Sequence, residues 1–459
     1  MDAAYSFAQN ITNTRFEDIP HEALKAAKTS VLDSLGTALA AGTLAHGTSD
    51  LVQFVKEGGG KEESSIIGFG GKVPSWMAAL ANSTLAHSLD YDDSHEKAMT
   101  HGGVTMVPAG FAVAERLGKV SGKNFLTAVV LGMDLTFRLS LATPKEPRDW
   151  SPTGLYGFFG TAAVAGKLLG LNAERIQNAL GIAYAQASGN RQAINDSALT
   201  KRIEVGFSSM GGIISALLAE KGITGALNSL EGEFGLYKLH HRGRYDPAIL
   251  TSELGKRFEG SNLGFKPYPC PRGTHAAIDA TLEMIREYGI KPGDVESITV
   301  FKGKTAVGVL GEPIERKRRP TNEVDAQFSL PYVVGTAIVK NWVGLQDFLP
   351  QAINDPAVLQ IAQKVDVQVY PEFNTFKNTF VPAITEIKTK GGKVFSKRVD
   401  DPYGNPNNPM SRDSLVQKFT ECASHALKPL SQSNLDYLVE NILNLEEVDD
   451  VTTIIRMLA

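Results

Sequence analysis

A mostly α protein, with a large all-helical domain and a smaller α+β domain, is the fold class this chain predicts, and three observations predict it. Apolar segments of helical length, broken by Gly or Pro, run almost without interruption to about residue 260. Beyond Lys266 the texture changes to short stretches that alternate apolar and polar residues and are rich in β-branched side chains. At 459 residues the chain exceeds what one hydrophobic core ordinarily serves, so two domains are expected. The boundaries read as 1–265 for the first part of the helical domain, 266–402 for the α+β domain, and 403–459 for a last helical block.

Taken in order, Pro20 to Ala41 reads as a core helix, with Asp18 ahead of it, Pro20 in its first turn and Gly42 just past its end. Its apolar face is Leu24, Val31, Leu35 and Leu39. Ser75 is the expected N-cap of a second helix, in which Met77, Leu80, Thr84 and His87 fall near one face. Ala and Ser surround that face, so His87 is expected to be a core histidine satisfied by its neighbours rather than a base. Helices follow at 104–118, closed by Gly118, and at 122–142, 155–170 and 173–189. Gly206, Gly211 and Gly212 interrupt a further segment where close packing is expected. Strands are predicted at 295–303, 365–372, 383–390 and 393–400, with a hairpin turn at Gly391-Gly392 and helices at 274–288 and 324–340. A loop containing Pro402, Gly404, Pro406 and Pro409 then leads to helices at 411–426 and 431–445.

Composition excludes several functions. A hydrophobic share of 42% with 21% charged residues describes a soluble globular protein. The net charge of −4 lacks the basic excess of a nucleic-acid binder, and the run Glu315 to Pro320 reads as a solvated loop without stacking aromatics. Cys270 and Cys422, far apart, suggest a reducing compartment. The first residues show no secretory or transit pattern, and the apolar stretch Val205 to Ala219 is shorter than the ~20 residues a membrane span needs, so a cytoplasmic protein without a membrane partner is expected. The glycines form neither a Walker A loop nor a strand-to-helix GxGxxG, and no organic cofactor is implied.

Chemistry concentrates in Ser83 to Gly103, where His87, His95 and His101 share a short run with Asp90, Asp92, Asp93, Tyr91 and Ser94. Three readings compete. Asp90, Asp92, Asp93 and His95 suit a divalent metal by donor type, although no HExxH, CxxC or EF-hand pattern accompanies them. Alternatively His101 transfers protons and Asp90 orients or binds. Gly102, Gly103 and the apolar segment that follows place His101 just ahead of a helix N-terminus, where the dipole favours the neutral ring a base requires. In the third reading these groups only satisfy one another or cap helices.

The runs LAHSLDYDDSH and THGG, followed by WSPTGLYGFFGTAA (150–163), ALTKRIEVG (198–206), FKPYPCPRGTHAAIDA (265–280) and AQFSLPY (326–332), resemble the MmgE/PrpD family. Its members include 2-methylcitrate dehydratase, cis-aconitate decarboxylase and iminodisuccinate epimerase. The resemblance spans most of the chain. It implies a two-domain architecture in which the C-terminal helices return to the helical domain, and a homodimer. It also implies a cofactor-independent enzyme that removes a proton next to a carboxylate of a small polycarboxylic acid, with no metal.

Residue by residue, the resemblance puts Asp90, Ser94 and His101 on active-site positions, Lys201 and Lys266 on motif lysines, and Tyr332 on a pocket tyrosine. We expect His101 as base, Lys201 and Lys266 as stabilisers of carboxylate and enolate charge, and Asp90 and Ser94 as the orienting or proton-donating groups. Arg191 and Arg272 are further carboxylate-binding candidates, and His275 is expected to face the same cleft. Three positions depart from the family pattern. Ser151 and Glu204 stand where histidine is usual, and Pro271 stands where the decarboxylase has histidine. Ser151 cannot act as an acid or base near neutral pH, whereas Glu204 adds up to one negative charge that would repel a substrate carboxylate. These departures speak against cis-aconitate decarboxylation. By the resemblance, a dehydratase-type lyase on a substrate such as 2-methylcitrate is the leading expectation, although Ser151 and Glu204 count against it too. Epimerisation of a small dicarboxylate is the alternative, and a non-catalytic carboxylate-binding homologue the second.

Overall fold

The computed structural model describes residues 2–144, 150–374 and 380–459. The first long helix, α1 (His21–Leu44), runs through Gly42 instead of stopping there, and Pro20 sits at its N-cap. Gly42 serves packing: a Cβ there would lie 3.2 Å from Phe69 and 3.3 Å from Leu427. The second, α2 (Ser75–His87), begins at Ser75 with Pro74 as N-cap residue, so Ser75 does not cap; the Glu63 carboxylate accepts its N–H at 3.2 Å. Then come α3 (Gly103–Leu117), α4 (Gly122–Leu141), α5 (Pro152–Leu168), α6 (Ala173–Gln186) and α7 (Thr200–Glu220). Gly118 ends α3 at φ 88°, a conformation glycine adopts without steric cost.

These helices pack closely because small residues line their contacts. A Cβ on Gly206 of α7 would stand 2.6 Å from the Leu80 carbonyl oxygen of α2, and one on Gly212 would stand 2.8 Å from the Phe158 carbonyl oxygen of α5. Backbone-to-backbone approach brings α2, α5 and α7 together, and the polar ends of these helices converge as a result. By length and composition α4 and α7 would each suffice to cross a membrane, but α4 is a core helix of this domain, and α7 packs one face against α2, α5 and α6.

The smaller unit begins after Phe265. It carries α8 (Arg272–Tyr288) and α9 (Leu330–Lys340) on a four-stranded sheet in the order β2-β1-β3-β4. Here β1 is Val295–Lys302, β2 Val365–Val369, β3 Ala383–Thr389 and β4 Val394–Val399. β1 runs parallel to β2, with Ile298 beside Val365, and antiparallel to β3, with Ile298 opposite Ile387. β3 and β4 form the hairpin, whose turn carries Gly392 at φ 81°. The helix expected over 324–340 is two, Glu323–Gln327 and α9, because Ser329 caps the second by accepting the Tyr332 N–H and Pro331 sits in its first turn. A two-residue ribbon, Ser64–Ser65 with Lys72–Val73, is too short to show as alternation in sequence.

Two buried apolar clusters divide the molecule. One joins the helical elements and includes Phe419, Cys422, Leu438 and Ile442 from α10 (Arg412–Ser424) and α11 (Gln432–Leu443). The other, from Tyr268 to Ile387, belongs to the sheet and its helices. The cleft described next lies between them.

Candidate active site

Asp90 and Asp92 sit two residues apart after α2 and take opposite partners. Asp90 Oδ1 accepts from Lys266 Nζ and Asp90 Oδ2 from Lys201 Nζ, each at 2.5 Å. Burial alone would push this carboxyl up, but the two ammoniums outweigh it and hold it well below the usual carboxylate range. Burial pulls Lys266 down, and the Asp90 and Asp92 carboxylates more than offset this, so its ammonium is held above the ordinary value. Asp90 has φ 52°, a left-handed conformation that Asp tolerates better than most residues, and Lys266 Nζ also donates to its carbonyl at 2.9 Å.

Asp92 Oδ2 lies 3.0 Å from His87 Nδ1 and 2.9 Å from His101 Nδ1. Burial would raise Asp92, and the two rings outweigh it, so it is held low. The two imidazoles stand edge to face at 5.0 Å. His101 Nδ1 also faces the Asp93 carbonyl oxygen at 2.6 Å, so both acceptors assign the proton to Nδ1 and leave Nε2 for the cleft. Burial, helped by the Lys201 charge, pushes His87 down to about 4, so its ring is neutral at pH 7.

The four proposed metal donors do not converge. Asp93 accepts from the Gly102 and Gly103 amides at 3.1 and 3.0 Å, and from Ser30, and so caps α3 instead of facing Asp90. His95 packs on Phe137 at 4.6 Å and accepts the Ala98 N–H at 3.1 Å. Among the described residues, His87, Asp92 and His101 bring donor atoms within 4.8 Å of one another, but those atoms hydrogen-bond to each other, and a divalent ion would have to displace both ring protons.

The cleft has a volume of about 150 Å³. His101, His87, Asp90, Ser94, Lys201 and Lys266 line it, with Arg191, Ser151 and Glu204 on a neighbouring face. Ser94 is fixed by main-chain pairing with Gly264, 2.9 Å in both directions. Arg272 also lines the cleft and is held by Glu96, at 2.7 and 2.9 Å, so it brings shape and donors more than net charge.

Two expected residues are placed elsewhere. His275 is fully buried behind Arg272, accepting from its guanidinium at 2.8 Å and donating to the Cys270 carbonyl at 3.0 Å. Tyr332 belongs to the core of the smaller unit, where its hydroxyl donates to the Asp347 carbonyl. In both cases the helix face that carries the residue turns inward. His87, expected as a core histidine satisfied by its neighbours, is buried and paired with Asp92 as expected, and it also lines the cleft. Thr153, Met99, Val309, Phe380 and Val381 also line the cleft and were not singled out in the sequence. Thr153 lies in the WSPTGL motif and Met99 in the His- and Asp-rich run, whereas nothing in the sequence marks Val309, Phe380 or Val381.

The MmgE/PrpD N-terminal domain matches residues 5–247 and the MmgE/PrpD C-terminal domain matches residues 268–442. The chain belongs to the MmgE/PrpD family. Within it, the chain is 28% identical over 467 residues to a Homo sapiens protein named cis-aconitate decarboxylase, covering 99% of this chain and 94% of that one. It is 25% identical to the cis-aconitate decarboxylase of Aspergillus terreus (strain NIH 2624 / FGSC A1156), covering 97% and 94%. It is 22% identical over 321 residues to the 2-methylcitrate dehydratase of Escherichia coli (strain K12), covering 67% and 65%. The MmgE/PrpD C-terminal match runs through α10 and most of α11, yet those helices pack into the apolar core of the N-terminal part.

Proposed function

We propose that the chain is a cofactor-independent lyase of the dehydratase type, acting on a small polycarboxylate such as 2-methylcitrate by removing a proton next to a carboxylate. The observation that carries this reading is the Asp92–His101 pair, a carboxylate 2.9 Å from the ring nitrogen that leaves Nε2 for the cleft. Lys201 and Lys266 share one carboxylate, so the trio with Asp90 offers one net positive charge to the enolate-like intermediate. The names of the relatives agree in substrate class. Ser151, Glu204 and Pro271 all line the cleft, so the departures from the family pattern fall where substrate is handled, and they speak against cis-aconitate decarboxylation despite the greater whole-chain similarity to those enzymes.

Epimerisation of a small dicarboxylate is the second reading, favoured by Glu204, which adds a carboxyl to the cleft beside the histidines. A homodimer is also proposed, supported by exposed apolar residues on and after α7, namely Phe207, Leu218, Ile223, Leu227 and Phe234; light scattering giving a monomer mass would refute it. Proton NMR of the metal-stripped protein with 2-methylcitrate, citrate, cis-aconitate and imino diacids tests the activity. Loss of water to an unsaturated acid is expected. Epimer formation would select the second reading, and no change with any member would refute both.

A further inference from the structure

Resting on the lyase reading, we propose that Glu204 is the proton donor that lets the substrate hydroxyl leave as water, and that Ser151 holds its carboxyl for this task. Glu204 stands one turn beyond Lys201 on α7, and both side chains line the cleft. Its Oε1 accepts the Asn190 N–H at 3.2 Å, and the Ser151 hydroxyl faces the same carboxyl. The segments carrying Asn190 and Ser151 are tied together, since Trp150 bridges Asn190 and the Ser151 N–H reaches the Gly189 carbonyl at 3.4 Å. The Asn190 N–H therefore holds the carboxyl, with Ser151 fixed beside it.

His101 belongs to the same corner, because its N–H donates to Thr153 Oγ1, two residues beyond Ser151, at 3.1 Å. Elimination of hydroxide at neutral pH requires two proton-transfer groups, one to take a proton from carbon and one to give a proton to oxygen. The other groups on these walls serve this step less well. The proton of His87 Nδ1 faces Asp92, the Lys201 and Lys266 ammoniums are each held at 2.5 Å by Asp90, and the Ser94 and Ser151 hydroxyls are far weaker acids than a carboxyl. Burial also pushes the Glu204 carboxyl above its ordinary value, which favours the protonated donor, with the Asn190, Ser151 and Lys201 contacts opposing.

The step balances. The C–H electron pair becomes the enolate as its proton passes to His101 Nε2. The enolate pair then forms C=C as the C–O pair leaves with oxygen, and the Glu204 proton completes the water. Afterwards the Glu204 carboxylate regains a proton and His101 loses one, directly or through solvent.

The test separates the two half-reactions in D2O. Glu204→Gln keeps an oxygen for the Asn190 N–H and cannot donate an acidic proton. Product formation should fall at least about 100-fold, while deuterium uptake next to the carboxylate stays within roughly threefold of wild type. Ser151→Ala should show the same split at about tenfold, and it carries the comparison if Glu204→Gln does not fold. Product and uptake falling together, or neither changing, would overturn the assignment. So would an epimer as the wild-type product. A wild-type protein silent in both readouts would instead overturn the lyase reading, and this assignment with it.

Discussion

One wall of the cleft is a charged lattice, and the opposite wall is largely carbon. On the first, Asp90, Asp92, His87 and Lys266 are almost wholly buried, and each charged atom has a partner within 3.0 Å except Asp92 Oδ1, which has no hydrogen bond and lies 3.9 Å from Lys266 Nζ. On the second, Pro271, Val309, Phe380 and Val381 supply shape, with Arg272 neutralised by Glu96. On the proposed reading the contrast divides the work: the charged wall would perform proton transfer, and the apolar wall would select what enters. The charged wall is also braced from afar. Lys418 of α10 donates to Asp33 Oδ1 at 2.6 Å, to the Tyr91 carbonyl at 2.5 Å and to the Lys266 carbonyl at 2.9 Å, so a C-terminal ammonium holds the backbone on either side of the cation and the aspartates.

Substitutions on the two walls should differ in kind. His101→Ala, on the charged wall, should lower kcat by about 1,000-fold with little change in melting temperature, because the ring is partly exposed and its loss leaves no large void. Asp92→Asn should lower kcat by about 100-fold at nearly constant KM, since the His101 ring would lose its anionic partner but keep the Asp93 carbonyl. Equal kcat for Asp92→Asn and wild type would break the division between the walls. On the apolar side, Phe380→Ala should raise KM about tenfold and leave kcat within roughly twofold. Steady-state kinetics on a substrate identified by the NMR panel checks all three.

The smallest expected effect concerns stability and pH. Burial holds His87 and His95 at about 4 in the folded chain, against an ordinary value of 6.5. Between those values the unfolded chain binds more protons, so stability rises with pH through this window; the contribution is whole above about 6.5 and is lost as pH falls toward 4. Each ring accounts for up to about 3 kcal/mol. Melting temperature should therefore fall by a few degrees from pH 7 to pH 5, and His95→Gln should flatten that slope without removing it, because His87 remains.

The contrast between the walls also explains what could be read in advance. The helix end marked by Gly118, and strands marked by alternation up to the Gly392 turn, are local signals, and sequence carries local signals directly. Asp90, His101, Lys201 and Lys266 were legible through their motifs, and they meet in space. What failed to show was direction. His87 and His275 both lie on small-residue helices, and only the tertiary partner, Asp92 for one and Arg272 for the other, decides which ring reaches the cleft. The apolar wall left no trace because Val309, Phe380 and Val381 look like any core residues until the two units close on each other.

The central claim is that the Asp92-held ring of His101 removes a proton next to a carboxylate. Its most direct test is deuterium uptake by 2-methylcitrate in D2O, followed by proton NMR, with wild-type protein and His101→Ala side by side. We predict uptake with wild type and none above background with the variant. Undiminished uptake with His101→Ala would contradict the assignment, and activity that returned only on adding a divalent ion would give the His87, Asp92 and His101 trio to a metal instead.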